Sequence, residues 1–251
     1  MGVLSDTKDS MIPPASQIFI GDGDFEEIGS EFKSYFLELA KLQPDSRILD
    51  VGCGIGRMAI PLTSYLSING EYWGFDIVKE GINWCQDQIS PKFSNFHFLH
   101  SDIYNKHYNP HGKIQPQDYQ FPFDNKSFDF IFLTSVFTHM LPPDMEHYMR
   151  EISRVLKTGG KCFITFFILN EESENLVRAG RTNLNLVYNN IEECLTTDCA
   201  DPEAAVAYKE NFIFTLFAKN GLEICQPVYY GYWCERSNPL SYQDIIIATK
   251  Q

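Results

Sequence analysis

The run Arg47-Ile48-Leu49-Asp50-Val51-Gly52-Cys53-Gly54-Ile55-Gly56-Arg57 constrains this chain more than any other segment of it. An apolar strand pattern ends in an acid, alternating glycines follow, and a helical pattern resumes. Glycines let the backbone take tight or left-handed conformations and let a ligand approach without a Cβ in the way. The helix behind them offers free amides at its start. Such a unit has meaning only as strand, turn and helix, with a small charged ligand at the turn.

The remainder of the chain continues that plan. Short β-rich runs alternate with helical stretches, the pattern of a parallel sheet. The expected strands are 47–51, 72–76, 96–99, 128–134, 162–167, 224–229 and 245–249. The clearest helix starts at Pro142-Pro143, where proline suits the first turn. It carries Met145, Tyr148, Met149, Ile152, Val155 and Leu156 on one face and is expected to end at Thr158-Gly159-Gly160. Two segments exceed a minimal sheet-and-helix plan, 103–123 and 170–209, and long segments of this kind are usually lids or binding loops. Acceptor recognition is therefore expected there. A helix over 28–42 makes residues 1–40 a third lid segment, ahead of a domain spanning 41–251 with insertions at 103–123 and 170–209.

A chain of 251 residues with 44% apolar composition can bury a full α/β core as one domain. Its net charge of -13, with no basic run, opposes binding to nucleic acid. The seven cysteines form no C-x-x-C pair and no signal-peptide pattern precedes them, so reduced thiols in a cytoplasmic protein are expected. Asp6 stands where a myristoylation signal needs Ser or Thr, and no apolar run can span a bilayer, so no membrane anchor is expected.

The turn is G-x-G-x-G with Arg57 at the sixth position, unlike the dinucleotide pattern G-x-G-x-x-G, and Asp50 lies inside the strand end. Both features favour a cationic cofactor over a pyrophosphate; the plainer alternative is a tight turn with a core-facing acid. Tyr72-Trp73-Gly74-Phe75-Asp76 ends a second strand in a carboxylate suited to vicinal ribose hydroxyls. Asp76 would otherwise cap the next helix. Further along stand Ser101-Asp102-Ile103 and Phe128-Asp129-Phe130-Ile131-Phe132-Leu133-Thr134, then Arg154-Val155-Leu156-Lys157-Thr158-Gly159-Gly160.

With these residues the chain resembles the class I S-adenosylmethionine-dependent methyltransferases, in their small-molecule branch. Their first motif is acidic-x-G-x-G-x-G, and Asp50, Gly52, Gly54 and Gly56 match it position by position. The likeness covers roughly 41–168 well and the closing strands more loosely. It implies a Rossmann-like, doubly wound, seven-stranded α/β sheet with the last strand antiparallel. It also implies S-adenosyl-L-methionine as cofactor, its methionine end held by Asp50, Gly52, Cys53, Gly54, Gly56 and Arg57, and its ribose by Asp76 beside Ile77. Ser101, Asp102 and Ile103 would line the adenine slot, with Asp102 otherwise a solvent-exposed loop acid. Thr134 closes the strand beneath the transferable methyl. The R-V-L-K-P-G-G turn of the family carries Thr158 in place of proline here.

For the acceptor, His139 is the candidate general base, since imidazole titrates near neutral pH; packing or a cofactor contact is the alternative. Phe137, His139, Tyr230 and Tyr232 are the substrate-binding candidates, with Glu235 beside them, and a packed hairpin end is the plain reading of the aromatic run. No histidine shows metal-ligand spacing, so no metal is expected. The combined expectation is methyl transfer to an O or N atom of a small-molecule acceptor, a specialised metabolite or sugar. A nicotinamide-dependent oxidoreductase on the same sheet and a non-catalytic S-adenosylmethionine-binding protein are the alternatives.

Overall fold

The computed structural model describes residues 11–251 apart from Asp22, Asn183, Asn189, Asn190 and Asn238. The first ten residues of the expected lid, with Asp6, lie outside the described residues.

Seven strands form the main sheet. In chain order they are β1 (Arg47–Val51), β2 (Glu71–Asp76), β3 (Phe96–His100), β4 (Phe128–Leu133), β5 (Leu156–Phe166), β10 (Leu222–Ile224) and β11 (Asp244–Lys250). Their spatial order is β10-β11-β5-β4-β1-β2-β3. β1 to β5 run parallel, and the last strand, β11, lies antiparallel between β5 and β10. This is the doubly wound arrangement with an antiparallel last strand that the glycine-turn unit and its successors imply.

Both faces of the sheet are covered, which explains why its strands read as continuous apolar runs. In β4, Phe130 and Phe132 join one buried cluster while Ile131 and Leu133 join the other. β11 divides in the same way, with Ile245 and Ile247 on the first face and Ile246 and Ala248 on the second. The first face is covered by α1 (Phe25–Glu38), α2 (Ala59–Leu62) and α3 (Lys79–Gln88), the second by α4 (Pro142–Val155) and α6 (Glu210–Lys219). In α1, Phe36 stands edge-on to Phe163 of β5 with ring centroids 5.0 Å apart.

Three boundaries differ from the expected ones. α1 starts earlier than 28 because the Asp24 side chain accepts from the amides of Glu26 and Glu27 at 2.9 and 2.8 Å, capping the helix there. α4 ends at Val155, because Leu156 already pairs with Phe128 of β4, and Gly159 takes its left-handed φ of 78° inside the strand's irregular beginning. The sixth strand is Leu222–Ile224, earlier than 224–229; beyond it the Cys225 amide still donates to the Ile247 carbonyl at 2.8 Å and Tyr229 bridges to Ile245. Pro227 has no amide to give a ladder at that point.

The segment 103–123 is irregular, with a single 3-10 turn at Pro116–Asp118. Glu151 of α4 accepts from the Phe121 amide at 2.8 Å, and the Arg154 guanidinium donates to the carbonyls of Phe121 and Phe123 at 2.9 and 2.7 Å. The segment 170–209 is more ordered than a loop. It holds α5 (Glu171–Arg178), whose Asn170 and Ser173 form a reciprocal capping box, and the strands β7 (Val187–Tyr188), β8 (Cys194–Thr196) and β9 (Val206–Lys209). With β6 (Ile168–Leu169) these make a second sheet of order β6-β9-β8-β7.

Candidate cofactor and acceptor site

The site is assembled at the carboxyl ends of β1, β2 and β4, where ligands bind in open α/β sheets. All three glycines after β1 have left-handed φ, 82° at Gly52, 56° at Gly54 and 82° at Gly56. The turn is closely covered on two sides. A Cβ on Gly54 would lie 2.9 Å from Ile20 Cγ2, and one on Gly52 would lie 2.5 Å from Val136 Cγ2. The N-terminal segment therefore crosses the turn on one side, and the stretch following β4 meets it on the other.

Asp76, only 8% exposed, binds this turn to the next. Its Oδ2 accepts from the Gly54 amide at 2.7 Å and its Oδ1 from the Val78 amide, at the start of α3, at 2.8 Å. Val78 is itself the N-cap residue of α3, so Asp76 braces the chain entering the helix, and the carboxylate keeps acceptor capacity for a further donor.

Asp50 is fully buried. Its Oδ2 accepts from the Tyr72 hydroxyl at 2.5 Å, while Oδ1 has no partner among the described residues. Burial pushes its pKa well up; the Tyr72 hydrogen bond opposes the shift and the Asp76 charge adds to it. At the other end of the turn, the half-buried Arg57 has a buried Nε without a partner among the described residues, and burial pulls its pKa down. Buried polar atoms are ordinarily hydrogen-bonded, and these two lie at the same glycine turn. One carboxyl oxygen without a donor and one guanidinium nitrogen without an acceptor flank the same glycines. A bound amino-acid moiety, with its ammonium and carboxylate, satisfies both. The residues present therefore fit the methionine end of S-adenosylmethionine. Cys53 is buried beside them, and burial raises its thiol pKa.

On the expected adenine side, the buried Ser101 donates its amide to the Asp76 carbonyl at 2.9 Å, and its hydroxyl lies 2.6 Å from that of Tyr119. Asp102 is partly exposed, with Lys113 at 3.5 Å. Ile77 and Thr134 are half-buried, whereas Ile103 is 2% exposed and belongs to the core.

The four acceptor candidates are not brought together. Phe137 is wholly buried among the rings of Phe166 and Tyr148. His139 places Nδ1 3.0 Å from the Glu203 carbonyl, with the Tyr108 ring edge-on at 5.7 Å, and burial lowers its pKa. Next to it the two insertions are clasped, His107 Nε2 standing 2.7 Å from Asp201 Oδ2. Tyr230 donates to Glu210 at 2.5 Å and lies under the Arg236 guanidinium. Glu235 pairs with Arg181 at 2.8 Å. Tyr232 alone of the four is widely exposed, at 51%, in edge-on contact with Tyr242. Thr165 and Gln243 stand in no motif and meet Ser135, at the end of the β4 run, only in the folded chain; Tyr119, which meets Ser101, also stands in no motif.

Among the described residues, no group of three or more His, Cys, Asp or Glu is placed to hold a metal ion, and no helix is long and apolar enough to cross a membrane.

The sheet order, the antiparallel last strand and the glycine turn define the Rossmann-like methyltransferase fold. The chain belongs to the methyltransferase-domain family, whose model matches residues 42–221. It is similar to a sterol 24-C-methyltransferase of Schizosaccharomyces pombe, 26% identical over 64% of this chain and 38% of that one. It is also similar to a demethylmenaquinone methyltransferase of Staphylococcus epidermidis, 27% identical over 51% of this chain and 46% of that one. The chain thus spans less than half the length of both curated relatives. Its fold matches the magnesium protoporphyrin IX methyltransferase of Synechocystis, solved with bound S-adenosylhomocysteine, at a TM-score of 0.56 and 15% identity over 92% of this chain and 90% of that one.

Proposed function

We propose that this chain transfers the methyl group of S-adenosylmethionine to an O or N atom of a small-molecule acceptor. The observation that carries the reading is the pair of orphaned groups, Asp50 Oδ1 and Arg57 Nε, at the two ends of a left-handed glycine turn. Dinucleotide binding gives neither group a reason to be there, which separates this reading from a nicotinamide-dependent oxidoreductase. When bound, the cofactor supplies a methyl on an already activated sulfonium. The protein's part is to align the acceptor with it and to exclude water. Asp50 and Arg57 hold the amino-acid end, Asp76 the ribose, and Ser101 with Asp102 the adenine side. Residues 11–21 and the two clasped insertions shield the site. His139, with Nδ1 committed to Glu203, keeps Nε2 as the atom available to take a proton from a hydroxyl acceptor.

The curated relatives support a small and largely apolar acceptor, since their names specify a sterol and a demethylmenaquinone. The seven free cysteines fit a reducing, cytoplasmic compartment. Calorimetry with S-adenosylmethionine and with NADH is the first test, and binding of the former alone is expected. Release of S-adenosylhomocysteine over a panel of hydroxylated and amine acceptors then separates an enzyme from a cofactor-binding protein. Tight binding of NADH, or no binding of S-adenosylmethionine, would overturn the proposal.

A further inference from the structure

Ser135 stands two residues past the end of β4 and has a φ of 60°, a left-handed conformation that a serine keeps only where its surroundings impose it. Its amide donates to Thr165 Oγ1 at 2.8 Å, and its exposed hydroxyl lies 3.2 Å from Gln243 Oε1. Thr165, fully buried in β5, donates its own hydroxyl to the same Oε1 at 2.6 Å. Two hydroxyl donors on one oxygen set the orientation of the Gln243 amide. Its Nε2 then presents two N–H donors that no described residue accepts.

The place of this trio gives it a purpose. Val136, the next residue after Ser135, is the one whose side chain abuts Gly52 of the cofactor turn. Outward from Gln243 lies an apolar rim of Tyr232, Leu240 and Tyr242, exposed at 51%, 40% and 39%. The Tyr232 and Tyr242 rings stand 5.2 Å apart at 69°, and Phe167 meets Tyr242 edge-on at 6.0 Å, so aromatic rings line this rim. The Tyr35 hydroxyl of α1 reaches the Leu240 carbonyl at 2.7 Å, so the N-terminal helix is tied to this rim.

We propose that Ser135 and Gln243 position the acceptor, and that the acceptor is a hydroxylated aromatic ring. Gln243 Nε2 donates to the ring's oxygen, Ser135 holds the same oxygen beside the cofactor turn, and the ring lies against Tyr232 and Tyr242. The inference rests on the methyltransferase reading and places the acceptor's ring between α1 and the 229–243 segment, with its oxygen at Ser135 and Gln243. Thr165 is a positioning residue that acts through the other two.

The test uses the full chain saturated with S-adenosylhomocysteine, titrated by NMR with 2-naphthol and, for comparison, cyclohexanol. The parent is expected to bind 2-naphthol saturably and at least tenfold more tightly than cyclohexanol. Gln243→Leu and Ser135→Ala should each weaken 2-naphthol by roughly fivefold or more, the scale of one lost hydrogen bond. Gln243→Asn should keep part of the affinity, and Tyr242→Ser should narrow the gap between the two probes. S-adenosylhomocysteine affinity should stay within twofold throughout. Should Gln243→Leu not fold, Ser135→Ala and Tyr242→Ser carry the test. No saturable binding of 2-naphthol by the parent, or unchanged affinity in the folded variants, overturns the proposal while leaving the cofactor assignment intact. Failure of the parent to bind S-adenosylhomocysteine overturns the methyltransferase reading itself.

Discussion

The Gly54 amide donates to Asp76 Oδ2 at 2.7 Å, so the middle glycine of the turn after β1 is held by the acid that ends β2. The same carboxylate takes the Val78 amide, which makes the proposed ribose ligand a structural brace as well.

Asp76→Ala is therefore expected to lose stability as well as cofactor affinity. Two backbone donors are left without their partner in a buried place, a loss of about 1–3 kcal/mol. Asp76→Asn keeps an acceptor for one of them and should recover part of both losses. Urea melts and calorimetry measure the two effects separately; an alanine variant as stable as the parent would show that the brace carries no weight.

Asp50 should couple cofactor binding to proton release. Burial raises its carboxyl pKa, so the folded chain holds a proton where the unfolded chain is already ionised. The stability from that proton is fully present below the ordinary carboxylate range and is lost as pH rises through the folded value. A cationic ligand at Oδ1 favours the ionised form and expels the proton. Calorimetric heats for S-adenosylmethionine should then vary with the ionisation enthalpy of the buffer, and Asp50→Asn should abolish the variation. Heats independent of buffer in the parent would sink the assignment. Tyr72→Phe, which removes the one donor to Asp50, should cost about 1–3 kcal/mol of stability at neutral pH.

Gly54→Ala meets two obstacles, the left-handed φ of 56° and Ile20 Cγ2 at 2.9 Å from the new methyl. The backbone cost is about 1–2 kcal/mol. The steric part belongs to Ile20, so Ile20→Ala in the same chain should relieve it. A double-mutant cycle is expected to show coupling of at least about 0.5 kcal/mol. Strict additivity would mean that residues 11–21 do not lie over the turn in solution.

His139 ties the end of β4 to the 3-10 turn Pro202–Ala204 in the second insertion. Burial lowers its pKa, so its contribution to stability is present above the ordinary histidine value and is lost as pH falls through the folded value. Acidification below about pH 6.5, the unperturbed value, should speed amide exchange around 202–204 in the parent. His139→Gln should flatten that dependence. If His139 is also the base, turnover with a true acceptor should fall by about a hundredfold or more in His139→Ala at unchanged cofactor affinity.

The glycine turn, the acids ending β1 and β2 and the two-faced core were legible in the sequence because each depends on near neighbours. Alternating glycines around an acid allow only a strand, a turn and a helix, and continuous apolar runs such as Phe128–Leu133 require a sheet buried on both faces. The proposed acceptor side was not legible. Ser135 and Gln243 lie 108 residues apart and meet only because β11 inserts antiparallel beside β5. Phe137 and Tyr230 read as substrate-binding candidates, with a packed hairpin end as the alternative for the aromatic run; in the fold Phe137 lies in the core and Tyr230 under the Arg236 guanidinium. The orphaned state of Asp50 Oδ1 was likewise decided by tertiary structure, since a hydrogen-bond partner that is missing can be recognised only once everything packed around the atom is in place.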